Sequence, residues 1–326
     1  MLDVIGAPFD LCGRHLGSRL GPISLRLAGL VPGLGQILGE DNVQDVGDVV
    51  EIDVRGQVPR QEADELLIET LTALKSRVSN SFQEGHVPLV LGGDHSLTIA
   101  SLSAALDFFG DKLGVLWIDA HADCNTPASS PSGNIHGMPL AALTGVEAKC
   151  RSGVSWEADL DQLWPRLLRF SSGTRLDPSH AAWIGLRDVD PGEAEFIARA
   201  ARPFVATMQD VDTLGLGATL DAFWEWAANS GLEKIWVSFD VDALDPIFAP
   251  GTGTAVRGGF SYREGHLIAE TLHDGFVSQA GPGLAGLDIV EVNPLRDQSN
   301  STAGIAYEWA RSFFGETILH ERSRTR

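Results

Sequence analysis

The 326-residue sequence predicts an α/β fold, a doubly wound, mostly parallel sheet with helices on both faces, held in a single domain over residues 1–326. Short apolar, β-branched runs alternate with longer segments of helical periodicity, the pattern of strands joined by crossover helices. With 44% hydrophobic and 21% charged residues, the chain is neither a disordered polymer nor a disulfide-stapled mini-domain. A prior of roughly 150 residues per domain would give two domains, but a large parallel sheet holds this length in one. No segment has the composition of a flexible linker, and no repeat is evident.

Taken in chain order, Met1–Gly6 reads as an edge strand and the Gly-rich stretch Gly29–Gly39 as loops or short helices. Glu62–Phe82 reads as a helix, because Leu66, Leu67, Thr70, Leu71, Leu74 and Val78 recur at intervals of three and four and make one face apolar. Core strands are expected at Val87–Leu91, Gly114–Asp119, Ala181–Ile184, Lys234–Phe239 and Leu284–Val290. Further helices are expected at Leu97–Phe109, Leu220–Asn229, Tyr262–His273 and Thr302–Phe314, with loops or short helices across Lys149–Ser179.

Acidic residues outnumber basic ones by 44 to 24, a formal charge of −20 that opposes binding to nucleic acid or to an anionic membrane. A cationic small substrate would be favoured at long range, although an acidic surface also serves solubility. No run approaches the roughly 18 apolar residues of a membrane span, and the first residues lack the basic region of a secretory signal. Cys12, Cys124 and Cys150 cannot all pair and form no CxxC, so the expected setting is reducing and cytoplasmic.

The informative feature is that three apolar runs end in acids and histidines. Open α/β sheets bind ligands outside the carboxyl ends of their strands. LGVLWIDAHAD brings Asp119, His121 and Asp123 to alternate positions; if the strand continues through them, they share one face at about 6.8 Å per two residues. WVSFDVDALDP repeats the device with Asp240 and Asp242. PLVLGGDHS supplies His95 after paired glycines, with Ser96 placed to cap a helix. Alone, a DxD or a single histidine is weak evidence. Together, four carboxylates balance the charge of two divalent cations, and oxygen-rich ligation with one imidazole each suits manganese better than zinc. Such a pair would lower the pKa of a bridging water toward neutrality.

Competing chemistries fare worse. Gly281, Gly283 and Gly286 give a GxGxxG that precedes its strand instead of following it, and no Walker A or GxSxG sequence is present. Cys124 has acidic neighbours that blunt it as a nucleophile.

GGDHS at 92–96, DAHAD at 119–123 and SFDVDALDP at 238–246 resemble the three signature motifs of the ureohydrolases, the arginase and agmatinase superfamily. NTPASSPSGNIHGMP at 125–139 and IGLRDVDPGE at 184–193 are similar to arginases in particular, as are GTGTAVRGGFSYREG at 251–265 and GLDIVEVNP at 286–294. The resemblance runs from GAPFDL to the last helix. It implies an eight-stranded sheet and two manganese ions, one held by His95, Asp119, Asp123 and Asp240, the other by His121, Asp119, Asp240 and Asp242. It also implies hydrolysis of L-arginine to L-ornithine and urea by a metal-bridged hydroxide that Asp123 orients. His136 matches the family's proton-shuttling histidine; Thr254 and Glu291 match residues near the guanidinium; Asn125, Ser132 and Asn134 match the loop near the α-carboxylate; Asp190 matches a residue that recognises the α-amino group. Homo-oligomers, trimers or hexamers, are common in the family.

The residues agree with these roles. Glu291 follows an apolar strand, where a carboxylate can make a two-point contact with a guanidinium, and an imidazole with a pKa near 6.5 can protonate a leaving amine. Departures from the family are Ala255 for proline, Ala243 for glycine, and a longer Lys149–Ser179 segment. Alternative activities are hydrolysis of agmatine or a guanidino acid, or noncatalytic arginine or metal binding on the same fold.

Overall fold

The computed structural model describes residues 1–150, 157–171, 173–278 and 281–317. Among these, eight strands form one all-parallel sheet: β1 (Leu2–Ala7), β2 (Val43–Asp48), β3 (Val87–Gly92), β4 (Leu113–Ile118), β5 (Ala181–Leu186), β6 (Phe204–Thr207), β7 (Lys234–Asp240) and β8 (Gly283–Val290). Their spatial order is β2-β1-β3-β8-β7-β4-β5-β6. The helices are α1 (Gly21–Leu27), α2 (Leu30–Leu38), α3 (Arg60–Gln83), α4 (Thr98–Phe109), α5 (Pro139–Thr144), α6 (Glu157–Leu168), α7 (Pro191–Arg199), α8 (Met208–Leu214), α9 (Leu216–Asn229), α10 (Tyr262–Ser278) and α11 (Ser301–Phe313). None among the described residues is long and apolar enough to cross a membrane.

Strand alternation splits the core into two layers. Val115 and Trp117 of β4 pack on one face with Val90, Trp183 and Trp236, against residues of α3 and α4. Leu116 and Ile118 pack on the other with Leu89, Leu91, Val237 and Phe239, against residues of α9, α10 and α11. Both faces of the central strands are therefore dry, which is why these strands read as nearly continuous apolar runs.

Every expected core strand is present, and Met1–Gly6 is a strand, but not an edge. β1 pairs with β3 on one side and β2 on the other. The true edges, β2 and β6, escaped the sequence reading for a physical reason. β2 is VQDVGD, with two exposed residues and no buried one, and β6 has only four residues, as edge strands tend to be polar or short. Gly29–Gly39 contains α2, and Lys149–Ser179 contains α6, which Arg166 ties to Glu65 of α3 at 2.7 Å. Residues 151–156 and 172 of that segment lie outside the described residues.

Candidate metal centre

The sequence-predicted ligands converge beyond the carboxyl ends of β3, β7 and β4, and Glu291 follows β8; these four strands are adjacent at the middle of the sheet. After β3, Asp94 caps a short 3-10 turn by accepting a hydrogen bond from Ser96 N–H, and that turn, His95–Leu97, sets His95 over the strand end. After β7, Asp240 does the same for Val241–Ala243 by accepting from Asp242 N–H at 2.7 Å.

The Asp119–Asp123 segment departs from the expected extended strand. β4 stops at Ile118, the chain bends at 119–121, and Asp123 takes a left-handed φ of 49°. Three ligands are thus gathered by a folded loop, not by alternation on one face. Glu291 is also left-handed, at φ 64°. Non-glycine residues in this region cost about 1–3 kcal/mol each and persist where surrounding structure over-determines them.

Asp119 divides its two oxygens between two clusters. Its Oδ2 lies 3.1 Å from His95 Nδ1, which is also 3.0 Å from Asp123 Oδ2 and 3.2 Å from Asp240 Oδ2. Its Oδ1 lies 3.3 Å from His121 Nδ1, which is 3.2 Å from Asp242 Oδ2. All four carboxylates are buried, and no lysine or arginine pairs with any of them among the described residues. His95 Nδ1 stands within ion-pair distance of three oxygens, yet is aligned with none for a hydrogen bond. A buried nitrogen facing three convergent carboxylates fits a cation between them better than a proton on any one line, and the donor set fits two cations with Asp119 shared.

The electrostatics show the same crowding. Burial and the Asp119 charge push Asp123 up to about 6, and burial with their carboxylate neighbours also raises Asp240 and Asp242. Burial favours a protonated Asp119 too, but His121 and His95 outweigh it and hold the carboxyl below its usual range. Burial opposes charge on both imidazoles, yet the carboxylates raise His95 and His121 well above 6.5. Cations at these positions would relieve the carboxylate repulsion.

His121, Asp123 and Asp240 open into a cavity of about 180 Å³ that Asn125, Ser132, Asn134, His136, Asp190 and Thr254 also line. Thr254 donates its hydroxyl to Asp242 Oδ2 at 2.8 Å. Asn125 donates from Nδ2 to Asp190 Oδ2 at 2.9 Å, while Ser129 donates to Asn125 Oδ1 at 2.8 Å, so the amide orientation is fixed. His136 Nδ1 sits 2.9 Å from Glu291 Oε1, which also accepts from the His95 backbone N–H at 3.0 Å. Glu291 is buried beneath His136, and with Oε1 committed a two-point contact to a guanidinium is closed while that pair holds. A neighbouring cavity of about 910 Å³, lined by Val146, Pro178 and Phe196, contains no comparable ligand cluster among the described residues. The acids and histidine Asp3, Glu84 and His86 group elsewhere, where Asp3 is already satisfied by Ser81 at 2.6 Å and His86 at 3.0 Å.

Sequence reasoning missed Ser130, Asp188 and Glu193 in the cavity wall. The signal for Glu193 was the D-P-G-E start of α7, a capping box in which Glu193 Oε2 accepts from Asp190 N–H at 2.9 Å. Glu193 Oε1 accepts from Cys124 N–H at 3.3 Å, so one buried carboxylate ties the Asp190 turn to the ligand loop. Burial and the nearby Asp123 push it up to about 8.

Burial opposes a charged His136, but Glu291 outweighs it and raises the imidazole to about 9 from 6.5. In metal-free protein the raised imidazole therefore contributes its full stabilisation below pH 6.5 as long as Glu291 stays ionised, and that contribution is lost as pH rises through about 9. Glu291→Gln should bring His136 back toward 6.5 in an NMR titration of its ring protons. An unmoved midpoint would show that Glu291 does not set the charge of His136.

Comparison with known proteins agrees with the geometry. The arginase family model matches residues 2–315. The arginase of Staphylococcus aureus is 41% identical over 325 residues, 98% of each chain. The solved arginase of Bacillus caldovelox superposes with a TM-score of 0.82 at 33% identity, covering 98% of this chain and 99% of that one. The solved arginase of Bacillus subtilis gives 0.80 at 34% identity, covering 98% and 100%. With two histidine-centred acid clusters joined through one aspartate, and similarity over nearly its whole length, the chain belongs to the arginase family and is a metal-dependent amidinohydrolase.

Proposed function

We propose that the protein hydrolyses L-arginine to L-ornithine and urea with two manganese ions bound. The observation that carries the reading is Asp119, whose two oxygens serve the His95 and His121 clusters under a cavity that His136 lines. His95, Asp119, Asp123 and Asp240 would hold one ion, and His121, Asp119, Asp240 and Asp242 the other. Bound there, the pair supplies Lewis acidity that makes water nucleophilic near neutral pH. Oxygen-rich ligation favours manganese.

This chain's own residues do the rest. Asp123 accepts a hydrogen bond from the attacking water and orients it. His136, held at Nδ1 by Glu291, keeps Nε2 for delivering a proton to the departing amine. Thr254 and Glu291 flank the guanidinium end. Asn125, Ser132 and Asn134 receive the α-carboxylate, and Asp190 the α-ammonium. Cys12 and Cys124 are buried free thiols, which fits a reducing, cytoplasmic setting, and the family resemblance favours a homo-oligomer, a trimer or hexamer.

Urea release from a panel of guanidino compounds by the manganese-loaded enzyme tests the substrate. Agmatine lacks the α-carboxylate, so it leaves polar groups of the Asn125–Asn134 loop unpaired or facing water. Each lost contact to a charged group costs about 1.5–3 kcal/mol, so two give a preference for L-arginine of about 10²-fold or more in kcat/KM. Asp190→Ala should weaken L-arginine use without changing manganese content. Equal kcat/KM for agmatine and L-arginine would overturn the substrate assignment and leave the broader amidinohydrolase one.

A further inference from the structure

The sheet face that α4 covers carries a buried polar pair on adjacent strands. Ser238 of β7 and Asp288 of β8 are register partners, and both are buried. Asp288 is a carboxylate in the core with no lysine or arginine paired to it among the described residues. Its Oδ2 accepts from Trp236 Nε1 at 2.9 Å, Ser101 Oγ at 3.1 Å and Thr98 Oγ1 at 3.2 Å. Its Oδ1 accepts from Ser238 Oγ, which lies 2.8 Å from His95 Nε2. Gly286 makes room for this arrangement, because a Cβ there would lie 2.3 Å from the Trp236 ring.

The proton count gives the chain a direction. A carboxylate only accepts, so the single Ser238 proton goes to Asp288. Ser238 can then only accept from His95, which keeps a ring N–H on Nε2 and makes Nδ1 the nitrogen that a cation would take. Nδ1 is the atom facing Asp119, Asp123 and Asp240. Stacking on Trp117, with ring centroids 4.0 Å apart and planes 7° apart, holds the imidazole plane while the relay fixes its rotation.

We infer that Asp288 is a positioning residue for the metal centre: acting through Ser238, it locks His95 in the tautomer and orientation that ligate a cation. The inference rests on the metal-centre reading above. The direct partner of a ligating histidine, here Ser238, sets metal affinity by about 10–100-fold, and Asp288 decides whether Ser238 accepts from the ring or donates to it.

The decisive variant is Asp288→Asn. Three donors face the Oδ2 position, so the new amide must turn its oxygen there and its NH₂ toward Ser238. Ser238 then donates to His95 Nε2, and the ring proton moves to Nδ1, where the cation should sit. Titration of metal-free protein with Mn²⁺, followed by the EPR signal of free Mn²⁺, should show one of two sites weakened about 10–100-fold in Asp288→Asn. Ser238→Ala, which abolishes the relay without reversing it, should lose less. Ser101→Ala removes a donor to Asp288 but spares the relay, and should bind as wild type does. Circular dichroism and thermal melts establish that each variant is folded. Wild-type affinity in folded Asp288→Asn, or equal losses in Ser101→Ala and Asp288→Asn, would overturn the relay. If Asp288→Asn does not fold, wild-type affinity in Ser238→Ala overturns it instead, and a loss there but not in Ser101→Ala upholds it. Failure of the wild-type protein to take up two Mn²⁺ would overturn the metal centre itself.

Discussion

Asp119→Ala is expected to lose most bound manganese and, with it, nearly all turnover. The residue is completely buried, and each of its oxygens faces a different histidine, so alanine removes a ligand from both clusters at once. Asp240 is placed differently. Its Oδ1 accepts from Asp242 N–H at 2.7 Å and its Oδ2 faces His95 at 3.2 Å, so Asp240→Ala also frees the turn that carries Asp242. Both variants should come through gel filtration with well below two metals per chain, measured by elemental analysis against manganese-loaded wild type. Two retained metals and normal urea release in either variant would mean that these carboxylates do not bridge.

His136→Ala should reduce kcat by about 10² to 10⁴-fold while leaving metal content intact, since its proposed task is to move a proton and it belongs to neither histidine–carboxylate cluster of the centre among the described residues. Glu291 raises its pKa to about 9, so the imidazole is protonated at neutral pH and ready to donate. Rate that depends on this acid falls as pH rises through its pKa, and the variant should lack that alkaline limb. Gly13 packs against the ring, its missing Cβ 3.3 Å from Cε1, so the truncation opens a slot in which added imidazole should restore part of the rate. Normal kcat with an unchanged pH profile would remove His136 from the mechanism.

The candidate metal ligands were legible because acids and histidines interrupt apolar runs where the sheet ends, a contrast that one sequence displays by itself. Their arrangement was not. The expectation that Asp119, His121 and Asp123 share a strand face failed because the left-handed turn at Asp123 leaves no mark in residue types. Asp288 was hidden for the opposite reason: it sits within the run GLDIV, and only the register with Ser238 gives it a partner. The six inner strands could be read from burial on both faces, whereas β2 and β6 each lack a neighbour on one side and so lack the apolar signature.

The strand order also governs when the centre can exist during synthesis. β3 carries His95 toward the site, but its neighbour β8 is made nearly at the end of the chain, and the contact between His95 N–H and Glu291 spans 196 residues. β4 likewise waits for β7. A nascent chain that has emerged only through β4 and the loop after it therefore exposes open strand edges and four of the six candidate ligands, and β3 and β4 stay unjoined until β7 and β8 leave the ribosome. Such non-local pairing makes for slow folding and an interval vulnerable to aggregation. β8 brings none of the six candidate ligands, yet it alone joins the strands that carry His95 and Asp240, so a chain truncated before β8 should hold every ligand and still lack the frame that gathers them.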